Sequence, residues 1–395
     1  WRTARQIQLE LASGRKLQFH LRGGKWILSS AQEDQTRSRR EDTAITIEVR
    51  QDINSPPVLV AVDSVSGAAQ VVLDPNPSLR EAARLAHASV FEWTTPDGRA
   101  WEGRLYYPSA YREGQRYPLV VQTHGVAERG EFSLYGPGSR GGIALGPGVA
   151  GYLAQALATR GIAVLQVPDI VAGAVDRSRE PVTYMRAYEA AIHKLVESGL
   201  VDREKVGLYG YSGTGWHVEY ALAHSDFPYA AAIVSDNIDG SYFQAGLQSW
   251  EPAYASDLHR DQPFGAGLKT WLENAPAFNV ERIRTPLQIQ VTDTAGGLVP
   301  VITTGWELFT RLRFLRKPVE LYVLPNIMRG SHVPQNPAQL QALQQRTLDW
   351  WCFWLKSEER PDADQYQAWR LLRQLHEDQL AQPRPPRLKW SVQPQ

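Results

Sequence analysis

Residues 206–216 read VGLYGYSGTGW, an apolar run that closes on small residues around one serine, Ser212. Such a run fits a buried strand, and the glycines after it fit a sharp turn into a helix. A serine at the apex of that turn takes a strained backbone conformation and needs small neighbours, which Gly210 and Gly213 supply. The following helix, predicted over 216–223, would aim its first N–H groups at the serine, where an oxyanion forms in acyl transfer. The common spacing is G-x-S-x-G; here Thr214 takes the fifth position and the glycine moves to Gly215. The plainer alternative is a Gly-rich turn that only packs.

The rest of the chain supplies a setting for such an elbow. Residues 1–80 alternate apolar and polar positions in short runs, at 6–11, 16–21, 44–49, 58–62 and 69–73, separated by Ser13-Gly14, Gly23-Gly24 and Ser66-Gly67. These are strands at hairpin spacing, with a solvated charge run at 33–42. The runs at 58–62 and 69–73 look like neighbouring strands of a propeller blade, so this part is expected to be propeller-like and truncated; a small antiparallel domain of its own is the alternative. Pro75, Pro77 and a short helical run at 78–86 read as a hinge.

From residue 81 to 395 the pattern changes. A hairpin over 89–93 and 100–107 leads into strands at 118–123, 162–167, 205–209, 230–234, 286–291 and 319–324. Helical periodicity lies between them, at 149–159, 182–198, 301–315 and 337–355. Alternating β and α with apolar strands predicts an α/β domain: a mostly parallel sheet covered by helices on both faces.

The chain has 395 residues, enough for two domains. Its 42 basic and 42 acidic residues remove the electrostatic case for nucleic acid or an anionic membrane as partner. A neutral or peptidic substrate fits better. Cys352, the single cysteine, cannot form an internal disulfide. No apolar run approaches the roughly 20 residues that span a bilayer, so a soluble protein of the cytoplasm or periplasm is expected. A start at Trp1 reads as a processed or truncated piece.

A serine hydroxyl needs a base within hydrogen-bond reach and an acid that orients the base. In the order Ser, acid, His, the histidine follows the last strand. Of the nine histidines only His332 and His376 lie beyond residue 259. His376 falls in a polar C-terminal helix, whereas His332 falls in the loop after the final strand, so His332 is the expected base. Asp293, directly after the run at 286–291, is the expected acid; Asp236 and Asp239, after the preceding strand, are reserves.

The expected oxyanion donors are the Gly213 N–H and a group from the loop opening at His124, whose side chain could face the same pocket. Residues 236–278 carry Trp250, Tyr254, Phe264 and Trp271, too long and too aromatic for a plain connection, and read as a substrate pocket or lid. No metal-ligand spacing or phosphate-cradling glycine motif appears, so cofactor-free chemistry is expected.

Taken together, GYSGTG, Asp293 and His332 in a C-terminal α/β-hydrolase domain after propeller-like strands resemble the prolyl oligopeptidase (S9) serine peptidases. In that family a tyrosine usually makes the side-chain oxyanion contact where His124 stands here. Finer features, SPPVLVAVD at 55–63, LDPNP at 73–77, the S-x-T-G-W form at 212–216 and TLDWWCFWL at 347–355, resemble the lasso peptide isopeptidases. Those bacterial enzymes open the macrolactam joining a lasso peptide's N-terminal amine to an Asp or Glu side chain. The resemblance implies a serine isopeptidase acting on a threaded peptide, in a site both enclosed and wide. The approach to His332, Arg329-Gly330-Ser331, departs from the acidic-aromatic one expected there, and Gly296-Gly297 follow Asp293. A general oligopeptidase or aminopeptidase, an esterase, and an inactive hydrolase fold used as a binding module are the other readings.

Overall fold

A computed structural model describes residues 6–10, 16–22, 25–29, 45–52, 54–75, 77, 85–123, 132–133, 136–137, 153–170, 174–237, 242, 244, 259, 261–293, 305–325, 336–360 and 363–386. The chain divides into two compact units, Trp1–Leu85 with Gly130–Gly148, and Ala86–Arg129 with Val149–Gln395.

The first unit holds a six-stranded sheet of β1 (Gln6–Glu10), β2 (Lys16–Arg22), β3 (Lys25–Ser29), β4 (Ile45–Asp52), β5 (Ser55–Asp63) and β6 (Ala69–Leu73), in the order β3-β2-β1-β4-β5-β6. Neighbours run antiparallel except β1 and β4, which pair parallel. Strand β3 was not among the predicted runs. It pairs antiparallel with β2, Arg22 opposite Lys25. The β5–β6 turn is held by Asp63, whose carboxylate accepts the N–H groups of Val65 and Ser66, each at 2.9 Å. Those backbone donors hold its pKa below the ordinary carboxylate value. Gly67 completes the turn at φ +69°, a conformation that glycine adopts freely. The predicted helical run at 78–86 and the charge run at 33–42 fall mostly or wholly outside the described residues. A further two-stranded pair in this unit joins β10 (Phe132–Ser133) to β11 (Gly136–Pro137).

The second unit is the α/β layer that the alternation predicts. Its eight strands lie in the order β16-β15-β14-β13-β9-β12-β8-β7. Strands β9 (Tyr117–Thr123), β12 (Ala163–Val167), β13 (Val201–Tyr211), β14 (Ala231–Ser235), β15 (Leu287–Asp293) and β16 (Val319–Pro325) are all parallel. The hairpin of β7 (Ala88–Thr94) and β8 (Ala100–Tyr106) closes one edge, with β8 antiparallel to β12. The inner parallel strands β9, β12, β14 and the second half of β13 are buried in near-continuous runs, as strands covered on both faces must be, whereas the edge strand β16 leaves Val323 exposed.

Helices form where apolar positions recur at helical spacing. Helix α1 (Ala154–Thr159) leads to β12, and α2 (Glu180–Glu197) buries Tyr184, Ala187, Tyr188, Ala191, Ile192 and Leu195, a single face. Helix α3 (Gly213–His224) follows β13, α4 (Leu268–Asn274) lies within the aromatic segment, and α5 (Trp306–Phe314) joins β15 to β16. Helix α6 (Pro337–Lys356) starts at Asn336, whose side chain accepts the N–H groups of Ala338 and Gln339. Helix α7 (Gln365–Leu380) buries Trp369 edge-on against Trp350 at 5.3 Å.

Strand β13 is packed from both sides. A Cβ on Gly207 would lie 2.2 Å from the Trp351 ring of α6, and one on Gly210 would lie 2.8 Å from Val218 of α3. Positions three apart on a strand face opposite ways, so the two helices flank the strand, and glycine is what lets each approach.

Candidate active site

The strand order places the elbow. The chain runs from β9 outward to β12, then returns across β9 to β13 and continues through β14 to β16. That reversal between β9 and β13 is where open α/β sheets bind ligands, beyond the carboxyl ends of the strands. Because the strands are parallel, Thr123, Tyr211, Ser235, Asp293 and Pro325 all end at this one edge.

Ser212 stands between β13 and α3 with φ +51° and ψ −128°. A non-glycine residue there stores on the order of 1–3 kcal/mol, so its surroundings must over-determine it. They do. Its N–H donates to the Ser235 carbonyl at 3.0 Å, and its own carbonyl accepts the Gly215 N–H at 3.1 Å.

The displaced glycine has a packing cause. A Cβ on Gly215 would lie 2.2 Å from Asn237 Cβ, and one on Gly210 would meet Gly215 Cα and the Thr214 carbonyl at 2.8 Å. Strand end and helix start therefore touch backbone to backbone, with Asn237 closing the far side. Asn237 is itself fixed, its Nδ2 donating to Glu219 Oε1 of α3 at 2.8 Å. Gly213 differs: a Cβ there would meet nothing within 4 Å. Its N–H begins the first turn of α3, where partial positive charge collects.

Asp236, one of the two reserve acids, is buried at the end of β14 with φ +41°. Its carboxylate accepts the Thr292 N–H at 2.5 Å and the Thr292 hydroxyl, and its own N–H donates to the Gln290 carbonyl. It braces the ends of β14 and β15. Tyr209 and Tyr211 lie buried beside it; burial pushes both phenols well above their ordinary pKa, and the Asp236 charge adds to the effect. Of Asp293 only the backbone is described; it ends β15 paired opposite Pro325, the last residue of β16. His332, His124, Asp239, Trp250 and Tyr254 lie outside the described residues.

Other histidines are engaged elsewhere. His376 Nδ1 lies 3.0 Å from the Arg284 carbonyl. His217, on α3, stacks on Tyr184 at 4.3 Å with Glu180 Oε2 at 3.5 Å, and burial pushes its pKa below the ordinary value despite that carboxylate.

The aromatic segment is corrected at one position. Trp271, expected to line a pocket, is 0% exposed, gives its indole N–H to the Asp261 carbonyl at 2.8 Å and packs against His259 at 4.2 Å. A side chain with no free surface supports the segment from within. Phe264 is 60% exposed and available for contact. Among the described residues no cluster of His, Cys, Asp and Glu could hold a metal ion. The residues that sequence reasoning passed over are Thr123, Thr214 and the Asp236–Thr292 pair; a hydroxyl at a motif position normally held by glycine was the signal for Thr214.

No family model matches the chain. It is 30% identical over 348 residues to the lasso peptide isopeptidase AtxE2 of Asticcacaulis excentricus, a match covering 82% of this chain and 46% of that protein. The structure of an AtxE2 variant with Astexin3-dC4 bound superimposes with a TM-score of 0.66 at 25% identity, over 94% of this chain and 57% of that one. The acylaminoacyl peptidase of Pyrococcus horikoshii shares the fold, with a TM-score of 0.59 at 16% identity, covering 82% of this chain and 51% of that one. The resemblance to the lasso peptide isopeptidases read from the residues therefore holds, and the fold is shared with more distant peptidases. The chain spans about half the length of these relatives.

Proposed function

We propose that this chain carries the catalytic machinery of a serine isopeptidase that hydrolyses the macrolactam of a lasso peptide. The observation that carries the isopeptidase reading is the 30% identity to AtxE2 across 82% of the chain. The left-handed backbone of Ser212 between β13 and α3 supports its assignment as nucleophile.

In this mechanism Ser212 Oγ attacks the side-chain carbonyl carbon of the Asp or Glu that closes the peptide ring. His332 takes the hydroxyl proton and Asp293 stabilises the imidazolium that results. The oxyanion forms against the Gly213 N–H, at the positive end of α3, and against a donor from the loop that opens at His124. Collapse breaks the C–N bond, and His332 passes the proton to the departing N-terminal amine. A water activated by His332 then hydrolyses the acyl-enzyme and regenerates Ser212.

The deciding experiment is mass spectrometry of a threaded lasso peptide, its unthreaded form and ordinary linear peptides after incubation with the protein. The expected result is one added water, located by fragmentation at the isopeptide bond, with the threaded form cut fastest. A threaded loop is held in one shape, so it loses less conformational entropy on docking and presents its amide in a near-attack pose. Cleavage of linear peptides at main-chain bonds with comparable kcat/KM would establish a general oligopeptidase instead.

A further inference from the structure

The hydroxyl at the fifth position of the elbow is fully used. Thr214 Oγ1 accepts the Tyr211 N–H at 3.1 Å, donates to the Tyr211 carbonyl at 2.8 Å and accepts the Thr123 hydroxyl at 2.8 Å. One proton and two lone pairs are all a threonine hydroxyl has. Thr123 Oγ1 also lies 3.1 Å from the Tyr209 carbonyl. Both threonines are buried, 0% exposed for Thr123 and 3% for Thr214.

These contacts lie where the pairing between β9 and β13 gives out. The β9–β13 ladder ends with Gln122 opposite Tyr209, and beyond that pair the two strand ends are joined through the two hydroxyls. From the end of β13 leave Ser212 and then Gly213, whose N–H is assigned to the oxyanion. A glycine at position 214 would leave the clasp unmade.

We infer that Thr214 is a positioning residue whose hydroxyl sets the spacing between the end of β9 and the elbow that carries Ser212 and the Gly213 N–H. The inference rests on the serine-hydrolase reading of Ser212. Misplacing a reacting group by about 1 Å costs on the order of 100-fold, and losing one oxyanion donor costs about 100- to 1,000-fold. Substrate identity does not enter, so the probe can be a small fluorophosphonate that phosphonylates an activated serine.

The experiment measures labelling of the full chain as a function of probe concentration, separating the bond-forming rate from probe affinity, with melting followed in parallel. Thr214→Val replaces the hydroxyl by a methyl group of similar size. It should lower the bond-forming rate roughly 10- to 100-fold with affinity within about twofold, whereas Thr214→Ser, which keeps the hydroxyl, should stay within about threefold of wild type. Thr123→Val removes the same clasp from the other strand and should lower the same rate, with the double variant no worse than the worse single one. That arm decides the matter if Thr214→Val does not fold. A folded Thr214→Val or Thr123→Val labelled at the wild-type rate overturns the inference while Ser212 stands. Failure of the wild-type chain to label, or labelling that persists in Ser212→Ala, overturns the serine-hydrolase reading and the inference together.

Discussion

Thr292 gives both its backbone N–H and its hydroxyl to the carboxylate of Asp236. Two donors from one residue fix that residue's backbone as well as its side chain, and Thr292 is the residue directly before Asp293. Asp236 thus acts through β15 on the strand end that carries the proposed acid. Asp236→Asn keeps the size and tolerates the positive φ, but turns an acceptor-only group into one that presents an N–H₂ to at least one donor. We expect a loss of about 1–3 kcal/mol of stability, read as a lower urea midpoint, with slower fluorophosphonate labelling. An unchanged midpoint would show that the brace carries no weight.

The parallel sheet was legible because buried strands carry apolar runs, Leu119–Val121 and Ala230–Val234 among them, and alternate with helical periodicity. The elbow was legible because two of its glycines are steric necessities: Gly210 and Gly215 meet backbone to backbone. What could not be read were relationships across the sheet. Nothing in the sequence pairs Thr123 with Thr214, or Asp236 with Thr292, since each contact depends on strands far apart in the chain lying side by side. Trp271 misled for the same reason. An aromatic residue in a long connection suits a pocket wall or the small core beneath it equally well, and only packing decides between them. Strand β3 was passed over because KWILS is short and lacks clear alternation.

Ser212→Ala should leave the fold intact. The contacts described for Ser212 run through its N–H and carbonyl, and alanine keeps both. Turnover should fall by about 1,000-fold or more, as in other serine triads. Measured on the lasso peptide beside a melting curve, residual activity within tenfold of wild type would sink the nucleophile assignment.

The pH dependence of stability and that of chemistry should separate. Burial lowers the pKa of His217 and His376, so both stay neutral in the folded chain where the unfolded chain takes up protons. Depressed folded values mean that unfolding binds protons as pH falls through about 6.5, so stability falls there and levels off above about 7. His217→Phe keeps a ring against Tyr184 and removes the proton site; its melting temperature should change less between about pH 7.5 and pH 5.5 than that of wild type. The acid limb of kcat/KM, assigned to His332, should keep its apparent pKa in that variant. A limb that moves with His217→Phe would tie the chemistry to the wrong histidine.

Gly213 and Gly215 stand two residues apart at the elbow and should respond oppositely to the same change. At Gly215 the added Cβ would fall 2.2 Å from Asn237 Cβ. Asn237 has little room to yield, because it follows the buried Asp236 and its amide is held by Glu219 of α3. Overpacking of a closed site costs about 1–3 kcal/mol, more where backbone must move, so Gly215→Ala should lower the urea midpoint clearly. At Gly213 the Cβ meets nothing within 4 Å and the residue belongs to α3, so alanine should hold stability level or raise it by up to about 1 kcal/mol through helix propensity. Unfolding both variants side by side tests whether contact with Asn237, rather than a general need for glycine around Ser212, moved the second glycine of the motif by one position. Equal midpoints for the two would remove that explanation.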